Sequence, residues 1–119
     1  MEDSILNTTK KLLGIMPEYE HFDADIVMHI NSVFLILNQM GVGPDTPFVI
    51  TDKSQTWTDF SEDINLIQMV KSYMGAKVRM LFDPPTSGSV SEALKNTISE
   101  FEWRLNVACD PPKEENQND

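Results

Sequence analysis

The chain has 119 residues, nine Lys and Arg against nineteen Asp and Glu, and a net charge of −10. That length suits one domain, which can bury a core without help from metals or disulfides. So acidic a surface repels phosphate backbones and anionic lipid, which argues against sequence-reading nucleic-acid binding and attachment to a membrane surface.

Cys109 is the single cysteine, so no internal disulfide can form and a reducing compartment is permitted. The start, "MEDSILNTTKK", is acidic before it is apolar and has no signal-peptide apolar region. The apolar runs are too short to span a bilayer. A soluble intracellular product is expected.

In chain order, "EDSILNTTKKLLG" places Ile5, Leu6, Leu12 and Leu13 at helical spacing, with Asp3 or Ser4 as cap and Gly14 as stop. Lys10 and Lys11 fall in the last turn, where the helix dipole favours cations. A second helix follows, with Asp23 as its N-cap, an apolar stripe of Ile26, Ile30, Val33 and Leu37, and Gly41 as its end. Between Pro44 and Phe60 helical periodicity stops. The β-prone runs "FVI" and "TWT" flank "TDKSQ", which predicts a small hairpin packed on the helices.

The third predicted helix runs through "DINLIQMVKSYMGAKVRMLF", with a face of Leu66, Val70, Tyr73, Lys77 and Met80 or Leu81. Gly75 in its middle costs about 1 kcal/mol relative to Ala, and a close helix crossing is the expected reason. Asp83-Pro84-Pro85 then forces a stop, because each proline fixes φ and disfavours α geometry in the residue before it. The fourth helix carries Val90, Leu94, Ile98, Phe101 and Leu105 and ends near Ala108, with Ser89 and Glu92 at capping-box spacing and Ser87 as a rival cap. Helices on either side of so short a hinge pack as an antiparallel pair. The expected fold is therefore mainly α. Residues 1–109 form a four-helix, bundle-like domain with a small mid-chain β-hairpin and a Pro-hinged C-terminal helical pair. Residues 110–119 form a flexible acidic tail.

The sequence carries no catalytic constellation. Glu18, Glu20, His21, Asp23 and Asp25 are the densest potential ligands for a hard cation, but acidic residues also favour a helix N-terminus and no calcium-loop spacing is present. His21 and His29 lie in no nucleophile or metal motif, and "GVGP" lacks the rest of a phosphate loop. Carboxylates near Cys109 argue against a reactive thiol. No cofactor, metal or enzymatic activity is expected. Trp57 reads as core packing for the hairpin. Trp103 lies off the main stripe of its helix, where it either widens the core or, with Arg104, anchors an interface.

"VKSYMGAKVRMLFDPPTSGSVSEALKNTISEFEWRLN", with the upstream "INSVFLILNQMGVGP" and "TWTDF", resembles the small head–tail connector proteins of tailed bacteriophages, also called head-completion or adaptor proteins. The resemblance runs from about Ile5 to Asn106, is most specific in "LFDPPTS" and "EWRLN", and departs from the family at Gly75-Ala76. It implies a structural virion protein that forms a ring beneath the portal, completes the head, extends the DNA channel and offers a docking surface for the tail. The implied partners are the portal protein, neighbouring copies, and the next connector or stopper ring or a tail protein, with genomic DNA passing through unbound. The implied location is the head–tail interface of the virion, reached from the host cytoplasm during assembly. The portal or subunit interface is assigned to Trp103, Arg104, Asn106 and Val107 with the tail, and to the hairpin residues Lys53, Gln55 and Trp57. The alternative is a small acidic helical regulator that sequesters a host or phage protein.

Overall fold

The computed structural model describes residues 4–109, and among them the chain is mainly helical. The helices are α1 (Ile5–Leu12), α2 (Asp23–Gln39), the single turn α3 (Trp57–Phe60), α4 (Ile64–Phe82) and α5 (Gly88–Cys109). All four predicted helices are present, as α1, α2, α4 and α5.

Ser4 caps α1, its hydroxyl accepting from the Asn7 N–H at 3.2 Å. α1 and α2 end alike. Gly14 and Gly41 adopt φ of +80° and +83°. The N–H groups of Ile15 and Val42 reach back to the carbonyls of Lys10 and Leu37 at 2.8 and 2.9 Å. This is the Schellman arrangement, which needs a residue free to enter the left-handed region. Asp23 is not the N-cap of α2. It is the first helical residue, and Phe22 stands at the cap without a side-chain bond. The Asp23 carboxylate is instead turned to Lys10.

The mid-chain hairpin is absent: among the described residues the only β-pairing is an isolated bridge between Ser4 and Thr56. Two local features compete with it. Thr56 and Asp59 stand at capping-box spacing, and Asp59 accepts from the Thr56 N–H at 2.9 Å, so "TWTDF" turns into α3. The "FVI" run finds its backbone partner in a side chain. Asn31 of α2 donates to the Ile50 carbonyl at 3.0 Å and accepts from the Ile50 N–H at 2.8 Å. Between them, the Ile5 N–H donates to Gln55 O at 3.0 Å and ties the loop to α1.

α4 is the central element and packs against α1, α2 and α5. Its buried residues are Ile67, Val70, Tyr73, Met74, Gly75 and Val78. The predicted face is thus rotated: Leu66, Lys77 and Met80 are half-buried at its edge and Leu81 is exposed. Gly75 does mark a close crossing, since a Cβ there would lie 2.7 Å from Leu12 Cδ1. Below the loop, Phe34, Phe48 and Phe60 form a ring cluster with centroids 5.1–5.6 Å apart, and Trp57 stands 6.3 Å from Phe34. Such edge and tilted pairs add to area burial.

The proline hinge is as expected. Asp83 leaves helical geometry at φ −147° and ψ 70° while its N–H still reaches Arg79 O at 2.8 Å. Ser87 rather than Ser89 caps the restart, accepting from the Val90 N–H at 3.4 Å, with its carbonyl taking the Ser91 N–H at 2.9 Å.

Candidate functional site

The α4–α5 pair is fastened in its middle. Glu102 of α5 accepts from the Tyr73 hydroxyl at 2.8 Å and lies 3.5 Å from Lys77 Nζ. At the far end a small depression is lined by Asp63, Asn65, Leu66 and Met69 of the α4 start and by Ala108 of the α5 end, so the two helices are antiparallel. Burial, and then the bond to Glu102, push the Tyr73 phenol above its ordinary range. Ile98 and Leu105 are buried against α4, worth about 1.5–3 kcal/mol each, and Leu94 and Phe101 are half-buried. Val90 is exposed, so the apolar stripe of α5 is used only from Leu94 onward.

Trp103 and Val107 lie two residues to either side of Leu105. At 100° per residue that places them on the opposite face of α5. They are 67% and 58% exposed. Trp103 therefore does not widen the core among the described residues. Between them Arg104 is folded onto Glu100, with contacts of 2.7 and 3.0 Å, and Asn106 is exposed. Two large apolar side chains therefore stand on a helix whose core-facing side is already filled.

The second assigned region is a closed loop. Gln55 Oε1 accepts from the N–H groups of Thr51 at 2.8 Å and Asp52 at 3.1 Å. Asp52 accepts from the Ser54 hydroxyl at 2.5 Å and the Ser54 N–H at 2.8 Å. Those bonds hold the Asp52 carboxyl below its ordinary range, the hydroxyl contributing most. Lys53 is exposed at the tip of this loop. A groove of about 590 Å³ runs between the loop, Leu6 of α1, and Glu20, Asp23, Ala24 and Val27 around the start of α2. Trp57 does not stand at the surface with Lys53: it is buried beside the half-buried Gln55, and its Nε1 has no hydrogen-bond partner among the described residues. Lys53 and Trp103 are on separate parts of the molecule, the loop beside α1 and the outer side of α5.

The sequence places Lys10 as a dipole-favoured cation, yet its side chain is fully buried. Its Nζ donates to the Pro17 carbonyl at 3.0 Å and stands 2.7 Å from Asp23 Oδ1. The second contact is off-line for a hydrogen bond, so charge rather than directionality holds it. The signal was in the spacing: Leu6, Lys10 and Leu13 share one helical face, and so do Ile98, Glu102 and Leu105. A polar residue on an apolar stripe needs a partner, and here each has one.

Among the described residues, no group of three or more His, Cys, Asp or Glu is placed to hold a metal ion. His21 packs against Phe22 at 4.8 Å and His29 against Phe82 at 6.2 Å. No helix among the described residues is long and apolar enough to cross a membrane.

No curated protein and no solved structure matches the chain. One family model does, described as "Phage connector protein", over residues 5–112. The match spans α1 to α5 and includes the hinge, the α5 ridge and the loop around Lys53, and on that basis the chain belongs to the phage connector protein family, a structural and not a catalytic class.

Proposed function

We propose that this chain is the subunit of a connector ring that sits beneath the portal, completes the head, extends the DNA channel and presents a docking surface to the tail. The observation that carries the reading is the pairing of a family match over residues 5–112 with exposed Trp103 and Val107 on the outer side of α5. Trp and Arg are favoured interface anchors, and a monomer gains nothing by keeping a large indole in water. Trp103, Arg104, Asn106 and Val107 form the surface that meets the portal or a neighbouring subunit. The polar sequence beyond residue 109 adds to the portal contact, as a separate segment from the 1–109 domain. The loop with Lys53 and Gln55 faces a neighbour or the next ring, over the buried Trp57. A charge of −10 suits a channel that genomic DNA passes without binding, since a basic lumen would hold phosphates. The ring's place is the head–tail interface of the virion, after assembly in the host cytoplasm.

The test is electron microscopy of this protein mixed with the portal protein of the same genome. An added ring beneath the portal is expected, lost when residues 106–119 are deleted. Leu105 keeps its place in that truncation, so the domain keeps its core. Bare portals with both proteins folded would sink the reading and favour a regulator that sequesters another protein. Portals still decorated by the truncated chain would sink the C-terminal assignment alone.

A further inference from the structure

A ring needs two different faces on each subunit, one to give and one to receive. The outer side of α5 is one candidate. A second lies on α2. Its buried residues are Ile26, Ile30, Val33, Phe34 and Leu37. Met28, Ser32, Leu35 and Gln39 follow at intervals of four, three and four on the opposite side, and all four are exposed. Met28 and Leu35 are 57% and 47% exposed, again large apolar side chains that none of the described residues covers.

Charge identifies what can cover that stripe. Residues 26–44 contain no Asp, Glu, Lys or Arg, in a chain that carries −10. A second copy is equally acidic, so copies repel over most of their surface. The α2 stripe is a surface on which an acidic neighbour meets no opposing carboxylate. On α5 the acid nearest Trp103 along the same ridge, Glu100, is already paired with Arg104. The two surfaces also match in shape. Asn96, Glu100, Trp103 and Val107 repeat the spacing of four, three and four, so both ridges are about 16 Å long at 1.5 Å per residue. With the two ridges antiparallel, Trp103, a large knob, falls opposite Ser32, the small residue between Met28 and Leu35, and Val107 falls opposite Met28. α4 packs on both α2 and α5, which ties the two helices to one central element.

We infer that neighbouring copies join head to tail, with Trp103 and Val107 of one copy seated on the Met28–Ser32–Leu35 stripe of the next. This rests on the ring reading above and assigns Trp103 and Val107 to the neighbouring subunit, leaving the portal to Asn106 and the sequence beyond residue 109.

The test uses cysteine cross-linking on the full chain assembled with its portal. Ser32→Cys and Ser99→Cys are near-isosteric, and Ser99 is one turn from Trp103. Cys109→Ser removes the background thiol. With a short bismaleimide, the double variant is expected to give a ladder of dimer, trimer and higher species, and each single variant only monomer. Dimers from either single variant would mean a two-fold contact and overturn the inference. Rings visible by microscopy with no ladder from the double variant would overturn the face assignment and leave the ring reading standing. Absence of rings would remove both. As an independent check, Leu35→Glu is expected to raise the concentration needed for assembly at least tenfold with the monomer's urea midpoint unchanged. Unimpaired assembly of that variant would count against the α2 face.

Discussion

Lys10 and Asp23 give the sharpest test of how this fold is held, because the two partners are buried unequally. The Lys10 side chain is fully buried, whereas that of Asp23 is 29% exposed. Asp23 also lies in the first turn of α2, where the helix dipole favours a carboxylate. Consider Lys10→Met, which keeps the volume and removes the ammonium. The Pro17 carbonyl loses its donor, but the Asp23 carboxylate can turn to water and the helix end. The loss is that of a charged hydrogen bond, about 1.5–3 kcal/mol, partly offset by burying a thioether. Asp23→Asn does the reverse. It leaves a fully buried ammonium with one carbonyl and a neutral amide, and an uncompensated buried charge costs about 3–5 kcal/mol.

The expected order is therefore Asp23→Asn worse than Lys10→Met. The double variant should be no worse than Lys10→Met alone, because the stranded charge is gone. Urea unfolding monitored by circular dichroism measures all three. With a slope of about 1–3 kcal/mol per molar urea, Asp23→Asn moves the midpoint by about 2 M. If Lys10→Met were the more damaging single change, or if the two losses simply added, the argument from unequal burial would be refuted.

Further outcomes follow from the same geometry. Gly43→Ala should cost about 2–3 kcal/mol in the same assay, because Gly43 has φ +95° and a Cβ there would lie 2.6 Å from a Phe60 ring carbon. Tyr73→Phe removes the hydroxyl from Glu102 and should cost about 1–2 kcal/mol, measured by urea midpoint. Asp52 is held below its ordinary range, so its contribution to the 51–55 loop is present above the unfolded carboxylate value and lost as pH falls through the folded one. Protection of the Ser54 amide, its exchange rate relative to the intrinsic rate at the same pH, should then fall on acidification, and an Asp52→Asn variant should show no such fall. Trp103→Ala should move the urea midpoint by less than about 0.5 kcal/mol equivalent, as for a surface site, while abolishing ring assembly seen by microscopy.

Which parts of this structure could be read in the sequence follows from where local signals agree with packing. The helix ends were legible because Gly14, Gly41 and Asp83-Pro84-Pro85 act through backbone geometry alone. The close crossing at Gly75 was legible for the same reason: a glycine in mid-helix has a cost that something must offset. The hairpin was misread because β-propensity reports a residue's fit to a half-buried surface and not its partner. Ile50 satisfies its backbone on Asn31, and Thr56 with Asp59 satisfies a helix turn, so neither run needs the other. The face of α4 was misjudged because that helix packs on three neighbours, and one stripe cannot describe a helix buried on several sides. Lys10 and Glu102 escape a reading that follows apolar positions and the helix dipole alone, because a charge on an apolar stripe is explained only by a partner distant in sequence.

The central position of α4 also links fold to assembly. A subunit that must meet neighbours at a fixed angle needs its two contact faces held in one frame. α4 supplies that frame: it packs along α2, and α5 is clamped to it through Tyr73, Lys77 and Glu102. The hinge restricts the remaining freedom, since two successive prolines fix φ where α5 departs from α4. The exposed apolar residues on α2 and α5 are then the outer sides of two helices whose inner sides are already used. The acidic charge has a place in the same logic. It disfavours contact between copies over most of the surface, and the proposed interface uses the stripes that carry no unpaired acid. On the proposed ring reading, self-association of the free chain is expected to be weakest at low salt, where repulsion is least screened, and sedimentation velocity across a salt series checks it.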